Sequence, residues 1–570
     1  SMTVRIAASW LRRSLAAALS ALTLATGSPL AAAPQSSPYD PTWAGAPVGN
    51  TIHHQYNDQA SAQQNGAALK AAVQQLQRGD QLVVAGGTYS VASLFAVSLT
   101  GTANAPIRIE AAPGETPRLT RPDASQNVIN LGPPNSGPAR FLLLRGFEIT
   151  GGSVGIRVED CADVWIDNCH VHHTGAVAVQ ASSHDTARLT ITHCDIHHAS
   201  TVNNLGEGIY LGGNNGSVKT HHSVIARNYL HDLMVGHGEG VELKQGSYGC
   251  WIAENIIHDT NYPGILGYGT AGEERNIFEG NIIWATNTNA MQVQGEAIVR
   301  NNLVFGGATV GFVSFDHQGA VRDLEVVNNT FVTTTGRAMK LEDWAGRPGM
   351  VLAGNALYSQ SSEALFVVGN SLAGVTVEGN VVHGPVIGGG TAGYATGNGL
   401  EDFADLNWNG TQRDAHPSPA SALRGAGSIA HTPAKDLSGA TRPSNVSAGA
   451  YEAGTYGQYS DNAVSGIHGE PLLTSSTYPL LGSSIEVRLT DAAASQATAL
   501  FFGPSPGQGT VGHGGRLVTS TSSAGRAAVT IDFPNLPALQ GVSFDAFWLC
   551  RDSSASGSLS RSQTVRWTLE

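Results

Sequence analysis

Charge is scarce in this sequence: 13% of residues are Asp, Glu, Lys or Arg. Aromatic residues are scarcer, at 7%, and only five cysteines are spread over 570 residues. Each shortage excludes something. So little charge and so few rings argue against a helical bundle. An odd handful of cysteines excludes a disulfide framework, although an exported chain could hold one bridge. Basic residues are also short, 31 against 44 acids, a net charge of −13. Such a chain is a poor general binder of nucleic acid. An anionic substrate would need positive charge supplied locally, by a metal or by a few placed cations.

What abounds is glycine, 69 residues, the composition of a β-rich chain with many tight turns. The start, "SMTVRIAASWLRRSLAAALSALTLATGSPLAAAPQ", has arginines, a short apolar run and an alanine-rich end. It reads as a secretory signal over 1–33; the apolar run is short for a membrane span. Removing Arg5, Arg12 and Arg13 with it leaves 28 basic residues against 44 acids. The expected product is a secreted monomer without membrane or nucleic-acid partners.

Self-similarity is the informative signal. The stretches "RNYLHD", "ENIIHD", "GNIIWA", "NNLVFG", "NNTFVT", "GNALYS" and "GNVVHG" carry Asn228, Asn255, Asn281, Asn302, Asn329, Asn355 and Asn380. Upstream, Cys169 and Cys194 fill the same column; successive spacings are 25, 34, 27, 26, 21, 27, 26 and 25 residues. A second column holds Val177, Ile209, Val241, Ile265, Met291 and Met339. Short strands separated by an asparagine turn, at a period near 25, predict a solenoid of stacked parallel strands. The asparagines should form an internal ladder, and the two cysteines should be buried thiols or a bridge. "NGAALKAAVQQLQRGDQLVVAGGTY" predicts a helix with Leu69, Val73 and Leu76 on one face, capping the open end, then a first strand. The expected organisation is a cap and first coils over 39–110, the solenoid over 111–390, final coils and linker over 391–470, and a small β-sandwich over 471–570.

Two acidic echoes interrupt this low-charge chain, "LGEGIYLGG" at 205–213 and "GHGEGVELKQGS" at 236–247. Glu207 and Glu239 are 32 residues apart, as are Ile209 and Val241, so the two glutamates belong on neighbouring rungs. Along the strand Val241 and Leu243 point inward, so Glu242 and Lys244 share the outer, exposed face. In register with Glu242 lie Tyr210, Leu266 and Gln292; around Lys244 lie Gly212, Tyr268 and Gln294. Carboxylates, one lysine, tyrosines and amides suit sugar, and three glutamates offer hard oxygen ligands suited to calcium. The plainer reading is a solvated acidic patch. His172, His197, His231 and His258 form a column that reads as a repeated turn preference more readily than as a zinc site. His237, beside Glu239, is a candidate for proton transfer.

"HGEGVELK" resembles the acidic strand of the alginate lyase and chondroitinase B family, and Glu239-Gly-Val-Glu242 is similar to the calcium element of another pectate lyase family. The resemblance spans most of 50–390 and implies a right-handed parallel β-helix. It implies Glu207, Glu239 and Glu242 as calcium ligands and Lys244 as the base of a β-elimination on a uronic-acid polymer. Where it implies an arginine one rung later, this chain has Tyr268, and the nearest arginine is Arg275. Tyr268, Tyr210 and His237 are therefore the candidates to protonate the leaving oxygen, with Arg275 a further catalytic candidate; Tyr210, Gln292, Gln294 and His231 are the candidates to hold sugar. Paired carboxylates also serve glycoside hydrolases, and an adhesin could hold sugar on the same face without cleaving it.

Overall fold

The structure is a computed structural model that describes residues 38–452 except 203, 306–308, 411–412, 419 and 440, together with Met2–Arg5 and separate strands between 459 and 568. Its body is a parallel β-solenoid whose rungs contribute one strand to each of three long sheets. Sheet one has 14 strands, from Thr51–His54 to Thr376–Glu378; sheet two has 13, from Gly87–Ser90 to Tyr394–Thr396. Sheet three has 12, from Ala96–Val97 to Val386–Ile387. Stacking rungs lets short strands bury a continuous inner face that no rung could bury alone. Val241, Leu243, Ile252, Ile257 and Ile265 are among the fully buried members of that core.

The asparagine ladder forms as expected. Each of Asn228, Asn255, Asn281, Asn302, Asn329 and Asn355 donates from its side-chain amide to the next asparagine's Oδ1 at 2.9–3.0 Å. The backbone N–H of each donates to that same oxygen. Cys169 and Cys194 are free, buried thiols rather than a bridge. Burial, with Cys169 beside it, holds the Cys194 thiol well above its ordinary value.

The capping helix is α1, Ala62–Gln74. Ser61 starts it: its hydroxyl accepts from the Gln64 N–H while Gln64 reaches back to the Ser61 N–H, a capping box. Leu69, Val73 and Leu76 pack into the end of the core. Gly66 admits close contact, since a Cβ there would stand 2.1 Å from the Ser90 carbonyl. The first strand of the stack, Thr51–His54, precedes the helix and pairs with Gln81–Val84.

Two expectations change. The hydrophobic column opens with Val179, not Val177: Val179 pairs with Ile209, and Phe312 fills the gap between Met291 and Met339. The segment read as a linker is packed instead. Between 400 and 452, Phe403, Leu406, Leu423, Ala450 and Tyr451 cover the outer face of sheet two against Tyr229, Trp284, Phe305 and Tyr358. Arg442 and Glu452, 1% and 2% exposed, pair beneath it at 3.2 Å. Small residues serve close approach here: Gly449 donates to the Gly354 carbonyl at 2.7 Å.

Beyond 459 the described strands form two further sheets, antiparallel apart from Met2–Arg5, which runs parallel to Ala527–Asp532. The rest of the expected leader lies outside the described residues. Among the described residues no helix is long and apolar enough to cross a membrane.

Candidate active site

The acidic echoes occupy adjacent rungs of sheet three. Ile209, Tyr210 and Leu211 pair with Val241, Glu242 and Leu243, which pair in turn with Ile265, Leu266 and Gly267. One step before the strand, Ala178 donates to the Glu207 carbonyl and Gly208 to the Glu239 carbonyl, so the two glutamates stand level. Glycine follows each because the rungs crowd there: a Cβ on Gly240 would lie 2.5 Å from the Gly264 carbonyl. The glycine of the repeated Glu-Gly is thus a packing requirement.

Glu242 and Lys244 do lie on the outer side of the strand, but the face is not exposed. Glu207, Glu239 and Glu242 are each 3% exposed and Lys244 8%. Lys244 Nζ donates to Glu242 Oε1 at 2.5 Å, 4.9 Å from the Tyr210 ring centre and 5.3 Å from that of Tyr268. Its amine thus sits between two aromatic rings in a cation–π arrangement. Three acids against one lysine leave the cluster under-compensated. Burial, then the charge of Glu242, pushes the Glu207 carboxyl up to about 7. Burial, then Glu242 and Glu207, pushes Glu239 up to about 8. Burial also raises Glu242, against the pull of Lys244.

The sign of the pH effect follows. Unfolded, both carboxyls titrate near 4.5; folded, they keep protons to about 7 and 8. The folded chain therefore binds more protons across that window, and stability falls as pH rises through it. Glu239→Gln is expected to flatten the loss of thermal midpoint between about pH 5 and about pH 8.5, measured in chelator. An unchanged slope would mean Glu239 is ionised in the folded protein.

Glu207 Oε2 and Glu239 Oε2 are buried without a hydrogen-bond partner. Orphaned carboxylate oxygens in a buried acidic cluster are the donor chemistry a hard divalent cation needs, so the residues fit calcium in kind. The cage is not closed: among the described residues, the trios of ligating atoms within 4.8 Å of one another are histidine-based, not the three glutamates.

The other expected residues divide. Tyr210, half-buried, and Tyr268, 5% exposed, flank Lys244, and burial followed by Glu242 raises both phenols. Gln292 and Gln294 occupy the next rung, with Gln294 Oε1 buried and unpartnered. His237 is exposed, its ring 4.9 Å from Tyr262. Arg275 is elsewhere: it pairs with Glu325 at 2.6 Å in a cleft shared with Glu296 and Arg322. His231 is also elsewhere, on sheet two, between Asp195 at 3.0 Å and Asp232 at 2.7 Å. Burial disfavours its charge, but those two carboxylates outweigh it and raise the ring to about 9.

Two residues at the site were missed. His317 stacks on Tyr268, rings 5.3 Å apart, its Nε2 3.3 Å from the phenol oxygen. Burial, then Lys244, lowers its pKa. The signal was its place two residues past the Gln294 rung, where Gln292 pairs with Val313. Arg157 lies in the Glu242 column, through Gln180 and Tyr210, and binds Gln180 and Ser183. Extending the column two rungs beyond Tyr210 finds it.

A parallel β-solenoid with a buried carboxylate–lysine cluster on one sheet defines the class. Residues 51–232 match the family described as the Pel9A-like, right handed beta helix region, so the coil is right-handed and the resemblance read from the residues stands. Among solved structures, pectate lyase Pel9A is 15% identical with a TM-score of 0.40, covering 72% of this chain and 98% of that one. A mannuronic acid specific polysaccharide family 6 lyase from human gut microbiota is 14% identical, TM-score 0.39, covering 61% and 90%. The catalytic domain of a GH87 alpha-1,3-glucanase is 13% identical, TM-score 0.28, covering 63% and 71%. No curated protein matches.

Proposed function

We propose that the protein is a secreted polysaccharide lyase that cleaves a uronic-acid polymer by β-elimination at the Lys244 cluster, with calcium held by Glu207, Glu239 and Glu242. The observation that carries this reading is the buried grouping of three carboxylates and one lysine between Tyr210 and Tyr268. The bound cation would supply charge stabilisation to the sugar carboxylate as negative charge builds there. Lys244 takes the proton beside that carboxylate, for which its amine must be unprotonated. Tyr268, whose raised phenol keeps its proton at neutral pH, returns one to the departing oxygen with His317 as its hydrogen-bond partner. Arg157 receives a second uronate along the column, three rungs or about 14 Å from Glu242. The apolar, arginine-started 1–33 supports export.

Arg157→Ala is expected to raise KM about tenfold with little change in kcat, the loss of one charged hydrogen bond made equally to substrate and transition state. A fall in kcat at unchanged KM would move Arg157 from binding to chemistry.

A second reading rests on the raised carboxyls. Glu239, protonated up to about 8, suits the general acid of a glycoside hydrolase, with Glu242 as its partner. A panel of alginate, pectate, glucuronan and glycosaminoglycans, followed in the ultraviolet band of unsaturated sugar with and without chelator, separates the readings. Absorbance that chelation abolishes supports the lyase. Reducing ends without absorbance support the hydrolase, and binding without either supports an adhesin.

A further inference from the structure

The histidine column of sheet two does more than repeat a turn. His172, His197, His231 and His258 stack rung on rung, ring centres 4.8–5.5 Å apart, and the stack ends on Trp284. His170 joins from two residues earlier on the same strand as His172, its Nε2 2.7 Å from His197 Nε2. His173 and His198 form a second, exposed stack alongside, 4.9 Å apart and 3° from parallel. Six imidazoles thus crowd rungs 170–173, 195–198 and 229–231.

We propose that His170, His172 and His197 bind one borderline divalent transition-metal ion, of the zinc type, at a site on sheet two separate from the carboxylate cluster on sheet three. Their ligating atoms lie within 4.8 Å of one another. Imidazole nitrogens suit zinc, copper and nickel, not calcium. Nitrogens around a tetrahedral zinc stand about 3.4 Å apart, so the 2.7 Å His170–His197 contact opens by well under an ångström to admit the ion. Glu148 Oε1 lies 3.0 Å from His172 Nε2 and 2.7 Å from Arg118, and His172 Nδ1 faces His173 Nδ1 at 2.8 Å. His231, hydrogen-bonded to Asp195 and Asp232, lies beside the trio and with Asp195 and His197 forms the neighbouring group of ligating atoms. The site is reachable: the covering segment packs from Tyr229 onward, and His173 and His198 line the rim in solvent.

The chain contains its own control. His221 and His222, on sheet one, show the same neighbouring-ring geometry, Nδ1 to Nδ1 at 2.9 Å, as His172–His173 and His197–His198. Among the described residues they belong to no such trio. Adjacent histidines alone are therefore the turn preference; the stacking of His172 on His197 together with His170 makes the site.

The test uses the full chain, stripped with chelator, dialysed and titrated with zinc against a chromophoric competitor, with cobalt absorption in parallel. One equivalent should bind with a dissociation constant below about 1 µM, unaffected by excess calcium. His197→Gln and His170→Gln should each weaken binding at least about tenfold, with circular dichroism confirming the fold, and His221→Gln should leave it unchanged. The proposal is overturned if the wild type binds no stoichiometric zinc, if both variants bind as tightly as wild type, or if His221→Gln weakens binding equally. Should one variant fail to fold, the other carries the comparison.

Discussion

Lys244→Met is expected to reduce formation of unsaturated product by about 10²–10⁴-fold, the usual worth of a positioned proton acceptor. Methionine keeps the length of the side chain between the two tyrosine rings and removes only the amine. The substitution also strips Glu242 of the donor 2.5 Å away and leaves a buried carboxylate without its counter-charge. Some stability will be lost for that reason alone. Lys244→Met combined with Glu242→Gln removes both charges, so a fold control and the chemistry can be read separately: the double variant should recover thermal stability and remain inactive. Initial rates from absorbance and thermal midpoints on the same preparations decide it. If Lys244→Met turns over substrate near the wild-type rate, the base is another group and the raised carboxyl of Glu239 becomes the leading acid–base residue.

The largest expected effect on stability lies in the ladder. Asn302 is fully buried and its Oδ1 accepts from both the backbone and the side-chain amide of Asn281. Its own amide donates to the Phe278 carbonyl and to Asn329 Oδ1. Alanine there leaves two donors and an acceptor unsatisfied in a dry interior and opens a small void, a loss of about 4 kcal/mol. Urea unfolding of Asn302→Ala against wild type measures it. A loss below about 1 kcal/mol would mean water or a shifted rung replaces the missing amide, and the ladder would be a consequence of stacking rather than a cause.

Much of this architecture was legible because a solenoid writes its geometry as a period. Asparagines at 21–27 residue spacing place themselves in one column, and the 32-residue offset of Glu207 and Glu239 sets them level without any three-dimensional information. Burial was not legible in the same way. Strand parity puts Glu242 and Lys244 outside the coil, and only the structure shows that Tyr210, Tyr268 and the loop around His317 close over them. A closing side chain can come from any rung, so one rung's alternation does not reveal it. Arg275 illustrates the converse: proximity in sequence suggested a role, but its loop leads into sheet one, where Glu325 takes its charge. The first strand and the Ser61 cap were missed because four residues carry too little pattern. The 391–470 stretch was read as final coils and linker because Gly, Ala and Ser have that composition in loops and in tightly apposed backbones alike.

That last segment sets where the molecule can be cut. A chain ending after Thr396 would keep every rung of the coil and look complete by repeat counting. It would also uncover a greasy strip on sheet two from Tyr229 to Val381 and remove the segment carrying Arg442 and Glu452. Such a fragment should clump in solution, so the minimal soluble core ends after Glu452 and not with its final coil.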